Sequence, residues 1–206
     1  LLDADRFSIM KAVNDLHEKL GENDNLLLYY AGHGNLIDVG ERDTGYWLPV
    51  NADAPPNDSF WMPNDYITNH LGRLKAKRVL VVADSCFGGL LSNSPGHLFF
   101  GSSRQNNEND YIRYKLPRRS RLLLSSGGDQ PVIDSGGGQH SVFARELIDA
   151  LRNNTGVLSA PDLFVTIREP VIQRAQANSF VQEPVYKSIK GAGHEVGDFF
   201  FVPRAQ

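Results

Sequence analysis

Three short apolar runs punctuate the chain: Asn25 to Ala31, Arg78 to Asp84 and Arg121 to Ser126. Turn formers flank each run, and none alternates cleanly between apolar and polar positions. That pattern predicts strands buried on both faces of a parallel sheet. Between and after them, apolar residues recur at helical spacing over residues 5–20, 64–74, 141–151 and 160–176. In the first helix Phe7, Met10, Val13 and Leu16 or Leu20 share a face, while Lys11, Asn14 and Glu18 point away. Ser159 followed by Pro161 is a start signal for the last helix, and Pro170 is expected to kink or interrupt it. The alternation of strands and helices predicts a layered α/β domain with right-handed crossovers. Phe7, Leu27, Leu28, Val79, Leu80, Val81, Val82, Leu123, Phe143 and Leu147 are expected in its core.

The pattern breaks in three places. Between Gly34 and Pro63, Asp43-Thr-Gly45 followed by Tyr46-Trp47-Leu48 reads as a small β-hairpin, and Asn51 to Pro56 as loop. Residues 92–120 are irregular and rich in Ser, Asn, Gly and basic side chains, with a short helix expected over 110–116; a loop of this length in a compact domain is often functional. Gly136 to Gly138 mark a third loop. The chain opens on a helix with no strand before it, so an upstream strand is expected to be missing.

Composition narrows the function class. The 206 residues suffice for one sizeable domain. A net charge of −3 argues against a surface for nucleic acid or anionic lipid. No apolar run approaches the roughly 18 residues of a membrane span, and the start is not a signal peptide. The single cysteine excludes an internal disulfide and a cysteine-rich zinc site, and the six histidines lack metal-site spacing. A lone thiol fits a reducing, cytoplasmic compartment.

Two of the three strands end in chemically loaded turns. The first runs into Ala31-Gly-His-Gly34 and the second into Asp84-Ser-Cys-Phe-Gly-Gly89. Ligands of open parallel sheets bind beyond the carboxyl ends of the strands. If the two strands are neighbours, His33 and Cys86 come to one edge. The glycines allow tight turns and leave the N–H groups of Gly34 and Cys86 where an oxyanion would form. A thiol beside an imidazolium is a nucleophile at neutral pH, and the imidazole can then protonate a leaving amine. A cysteine phosphatase needs an arginine closing the loop after the cysteine, and Cys86 to Ser92 has none. A Gly-x-Ser-x-Gly elbow and a Walker A loop are absent.

Tyr30-Ala-Gly-His-Gly34 and Asp84-Ser-Cys-Phe-Gly-Gly89 resemble the two signature segments of caspase-fold peptidases, closest to metacaspases and bacterial orthocaspases. Leu124 to Pro131 and His140 to Ala144 resemble the small-subunit segment walling the cleft, and Gly193 to Val202 the final strand of bacterial members. The resemblance implies a three-layer α/β/α sandwich with a mostly parallel central sheet. It also implies one peptidase domain over 1–206, in which residues 1–91 are large-subunit-like, 92–120 a linker and 121–206 small-subunit-like. The family's first strand and helix are expected to be missing.

The implied activity is a cysteine endopeptidase acting through a Cys86–His33 dyad, with no organic cofactor and no metal assigned. Protein or peptide is the expected substrate, and bacterial relatives are often fused to a regulatory sensor module. Asp84, two residues before Cys86, shares its strand face and could pair with a basic side chain, the role of the matching metacaspase residue; the alternative is a loop-capping carboxylate. Cleavage after Arg or Lys is therefore expected. Asp129 is either a second acid of that pocket or an Asx-turn residue. The basic residues of 92–120 are either solvated surface or sites of self-cleavage, with Arg104 the most loop-like. Some metacaspases need calcium; Asp38, Glu41 and Asp43 are acidic but do not form an EF-hand pattern, so no calcium site is assigned. The competing reading is a catalytically silent caspase-fold scaffold, although both His33 and Cys86 are retained.

Overall fold

Capping decides where the first helix starts. The Asp5 carboxylate accepts the Ser8 N–H at 2.7 Å, and α1 runs Arg6–Lys19. The computed structural model describes residues 1–38, 43–86, 108–128 and 139–203, with backbone alone at 38, 43 and 108. After α1 come β1 (Asn25–Ala31), β2 (His33–Asp38), β3 (Asp43–Leu48), β4 (Met62–Pro63), α2 (Asn64–Arg73) and β5 (Arg78–Asp84). The rest comprises α3 (Glu108–Lys115), β6 (Ser120–Ser125), α4 (Val142–Arg152), β7 (Leu158–Ser159), α5 (Ala160–Ala177), β8 (Val185–Ser188) and β9 (Phe200–Phe201).

Among the described residues the central sheet has the order β1-β5-β6-β8, with β1, β5 and β6 parallel and β8 antiparallel to β6. Successive β5 residues feed opposite cores. Val79, Val81 and Ala83 pack with Leu123 against Val13 of α1 and Ile67 and Leu71 of α2. Leu80 and Val82 pack with Leu122 and Leu124 against Phe143 and Leu147 of α4 and Leu163, Ile167 and Val171 of α5. Helices thus cover both faces, giving the three-layer α/β arrangement with a mostly parallel sheet. A small antiparallel sheet, β2-β3-β4, grows from the end of β1, and its β2–β3 pair is the hairpin read from Tyr46-Trp47-Leu48.

Three expectations are corrected. Strand β1 is not buried on both faces; its residues alternate between exposed and half-buried, and Leu27 is 45% exposed. The reason is position: among the described residues β1 pairs only with β5, and the α4/α5 layer leaves its Leu27–Tyr29 face open. Leu28 is half-buried against the α1 side for the same reason. Phe7 is 72% exposed. Six residues before Val13, it lies about 120° around the helix from it, and Ile9, Met10, Leu16 and Leu20 line the inner face instead. Finally, Pro170 does not interrupt α5, which continues through it with Ile167 and Val171 buried on either side. Val79 to Val82, Leu123, Phe143 and Leu147 are buried as expected.

Candidate active site

The parallel register of β1 and β5 places Ala31 opposite Asp84 and ends both strands at one edge. The Gly32 N–H reaches the Asp84 carbonyl at 3.4 Å, extending the ladder by one step. Two residues beyond the paired positions stand His33 and Cys86. His33 opens β2 and is exposed; Cys86 follows β5 directly and is half-buried. The segments touch. A Cβ built on Gly34 would lie 2.0 Å from the Cys86 carbonyl oxygen and 2.8 Å from Ser85 Oγ, so only glycine allows this approach.

The turn carrying Cys86 is braced from β6. The buried Ser126 accepts the Ser85 N–H on its Oγ at 3.1 Å and donates its own N–H to the Ala83 carbonyl at 2.9 Å. Ser85 Oγ in turn donates to the Cys86 carbonyl at 3.0 Å. The turn carrying His33 is braced from β1, where the Tyr30 hydroxyl donates to the His33 carbonyl at 2.7 Å. Gly34 lies opposite Trp47 in the β2–β3 ladder.

Asp84 is 8% exposed, and its Oδ2 accepts from the Tyr29 hydroxyl at 3.1 Å and from Ser141 Oγ at 2.5 Å. Ser141 is also the N-cap of α4, accepting the Ala144 N–H at 2.9 Å, so the carboxylate ties the strand end to the start of that helix. Burial, followed by the charge and hydrogen bond of Asp84, raises the Tyr29 phenol well above its ordinary value. A carboxylate at this edge is thus both a hydrogen-bond anchor and a concentrated negative charge two residues from the thiol.

Asp129 and Arg104 lie outside the described residues, as do Glu41 and the side chains of Asp38 and Asp43. Three of the other basic residues of the 92–120 stretch are engaged. Lys115 donates to the Val196 carbonyl at 2.8 Å, and Arg118 stacks on the Tyr114 ring at 3.7 Å. Arg119 donates to the carbonyls of Gly72 at 2.6 Å and Leu74 at 2.9 Å. Arg113 sits in the last turn of α3. Among the described residues no group of three or more His, Cys, Asp or Glu side chains is placed to hold a metal ion, and no helix is long and apolar enough to cross a membrane. A groove of about 760 Å³ runs between α1 and β1, lined by Ile9, Val13, Leu26 and Leu28, and reaches His33 and Trp47.

Four side chains escaped the sequence reading: Tyr29, Tyr30, Ser85 and Ser141. Ser141 carried a detectable signal, since a serine before an apolar helical run is an N-cap. Tyr29 and Tyr30 sit inside an apolar run and read as filler there.

A family model described as the caspase domain of the C14 peptidases matches residues 1–191 of the chain. No curated protein matches it by sequence. Among solved structures, the crystal structure of a protein from Geobacter sulfurreducens is similar, with 21% identity and a TM-score of 0.54 over 90% of this chain and 73% of that one; at this identity the likeness concerns the fold alone.

Proposed function

Because the chain belongs to the caspase-domain family of cysteine peptidases, we propose that it is an endopeptidase cleaving polypeptides after Arg or Lys through a Cys86–His33 dyad. The observation that supports this reading is the seating of Gly34 on the Cys86 carbonyl, which joins the histidine and cysteine segments at the carboxyl edge of one sheet. The Cys86 thiolate, with His33 as imidazolium, attacks the scissile carbonyl carbon. The resulting oxyanion accepts from the N–H groups of Gly34 and Cys86. As the tetrahedral intermediate collapses, the C–N bond breaks and His33 hands its proton to the departing amine, leaving a thioester on Cys86. A water then attacks the thioester with His33 as base, the C–S bond breaks, and the acid product leaves with the dyad restored.

The preference for a basic residue before the scissile bond rests on Asp84, whose carboxylate is held at the same edge by Tyr29 and Ser141. On this reading the chain falls on the metacaspase side of its family. Asp129 is proposed as a second acid of the pocket and Arg104 as a self-processing site. For Arg104 the support is that Lys115, Arg118 and Arg119 are held in folded structure by the contacts above.

Fluorogenic peptides ending in Arg, Lys and Asp test the proposal. Arg and Lys peptides should turn over at least about 100-fold faster than the Asp peptide, and Asp84→Asn, which keeps the acceptor oxygen but not the charge, should remove most of that margin. Preference for the Asp peptide, or an unchanged margin in Asp84→Asn, sinks the specificity.

A further inference from the structure

The proposed chemistry needs a fixed imidazole, yet His33 is exposed and sits where the chain leaves the parallel sheet for the antiparallel one. Tyr30 holds this corner. Its hydroxyl donates to the His33 carbonyl at 2.7 Å and accepts the Leu48 N–H at 3.1 Å. His33 and Leu48 are themselves a register pair of β2 and β3. One oxygen therefore bridges two strands at the residue that carries the imidazole.

The phenol is locked in turn. Its ring stacks on buried Trp47 with centroids 4.2 Å apart and planes 3° from parallel. The backbone passes directly over it: a Cβ on Gly32 would lie 2.8 Å from the hydroxyl oxygen and 3.0 Å from Cζ. On the other side of His33, Gly34 is seated on Cys86. Burial pushes the phenol up to about 12, so it keeps its proton at neutral pH and remains a donor.

We infer that Tyr30 is a positioning residue for His33: its hydroxyl, held by Trp47, fixes the His33 backbone at the distance the dyad needs from Cys86. The inference rests on the dyad reading above and deepens it. Geometry of this kind is costly to lose, since a misplacement of about 1 Å can slow a reaction about 100-fold. Tyr30→Phe removes the hydroxyl and keeps the stack, separating positioning from packing.

The test uses the full chain as Tyr30→Phe and Gly32→Ala, the second pushing a methyl into the phenol. Tyr114→Phe, an exposed phenol on α3, is the control. Two readouts are taken: kcat and KM on an Arg peptide, and the rate of iodoacetamide alkylation against pH, which reports Cys86 alone because the chain has one cysteine. Tyr30→Phe should lose about 100-fold in kcat with KM within about threefold, and its alkylation profile should move toward that of His33→Ala. Gly32→Ala should follow it, and Tyr114→Phe should match the unmodified chain.

A Tyr30→Phe protein with unaltered kcat and alkylation profile overturns the inference. So does a loss of rate that merely tracks the unfolded fraction; should Tyr30→Phe not fold, Gly32→Ala decides. If the unmodified chain hydrolyses no peptide while alkylation still depends on His33 and Tyr30, the peptidase reading falls and the positioning role stands. If His33→Ala leaves alkylation untouched, both fall.

Discussion

The backbone of Gly34 lies against the carbonyl of Cys86, so close that an added Cβ would come 2.0 Å from the oxygen. The obstacle is backbone, not the far end of a side chain, and neither segment can swing away without breaking the β1–β5 register or the Ser85–Ser126 brace. Gly34→Ala should therefore force the two turns apart. The expected result is a fall in kcat/KM of more than about 100-fold with a loss of about 1–3 kcal/mol of stability, the usual cost of overpacking. Steady-state kinetics beside a denaturant titration check this; near-normal turnover contradicts the contact.

Arg121 is fully buried in β6 and serves as the cap of another element. Its guanidinium donates to the carbonyls of Leu71 at 2.9 Å, Leu74 at 2.9 Å, Lys77 at 3.1 Å and Ser120 at 2.8 Å. These include, at the end of α2, the Leu71 carbonyl, which also accepts the Leu74 N–H at 3.4 Å, and the carbonyl of the C-cap residue Leu74. Burial, with the neighbouring Arg119 charge, lowers the guanidinium to about 10, so it stays charged at neutral pH. Arg121→Met fills the space but removes four charge-assisted hydrogen bonds, leaving the Leu71, Leu74 and Lys77 carbonyls with one other donor each, the Leu74 N–H, the Arg119 guanidinium and the Ser120 N–H. It should cost about 3 kcal/mol or more, read as a drop of about 6–12 °C in Tm. A change of under a degree would show that the cap is dispensable.

His194 should make the fold acid-sensitive. Its Nδ1 accepts the Arg121 N–H at 3.2 Å, which requires an unprotonated nitrogen. Burial first, then the Lys115 and Arg121 charges, hold its pKa below the ordinary value, against a smaller opposing pull from Glu195. His17 shifts the same way through burial, Arg73 and His70. The unfolded chain thus takes up protons first as pH falls through about 6.5, so it binds more protons than the native state and stability drops with falling pH. Above about pH 7 this contribution is constant. Thermal melts between about pH 5 and pH 7 should show a declining Tm for the unmodified chain and a shallower decline for His194→Gln, whose amide can accept the same bond. Identical slopes would remove His194 from the account.

How much was readable in advance depended on where each residue's partners lie. The placement of His33 and Cys86 at one sheet edge was legible because strand ends flanked by glycine are a local signal, and the family resemblance rests on the same segments. The helices were legible to within about two residues, since their periodicity and the Ser141 and Ser159 caps are local too. The edge position of β1 was not, because Leu27 reads the same whether or not a neighbour covers it. Arg121 looked like the polar flank of a strand, and three of its four acceptors are 44 to 50 residues away. Tyr30 was counted as apolar strand, and only the Leu48 partner 18 residues on gives its hydroxyl a task.

The pairing of one thiol with one imidazole is tested most directly by covalent trapping. An irreversible electrophile built on an Arg peptide, followed by intact mass, should add one equivalent to the unmodified chain, none to Cys86→Ala, and about 100-fold more slowly to His33→Ala. Peptide hydrolysis persisting in Cys86→Ala, or labelling of His33→Ala at the unmodified rate, would contradict it.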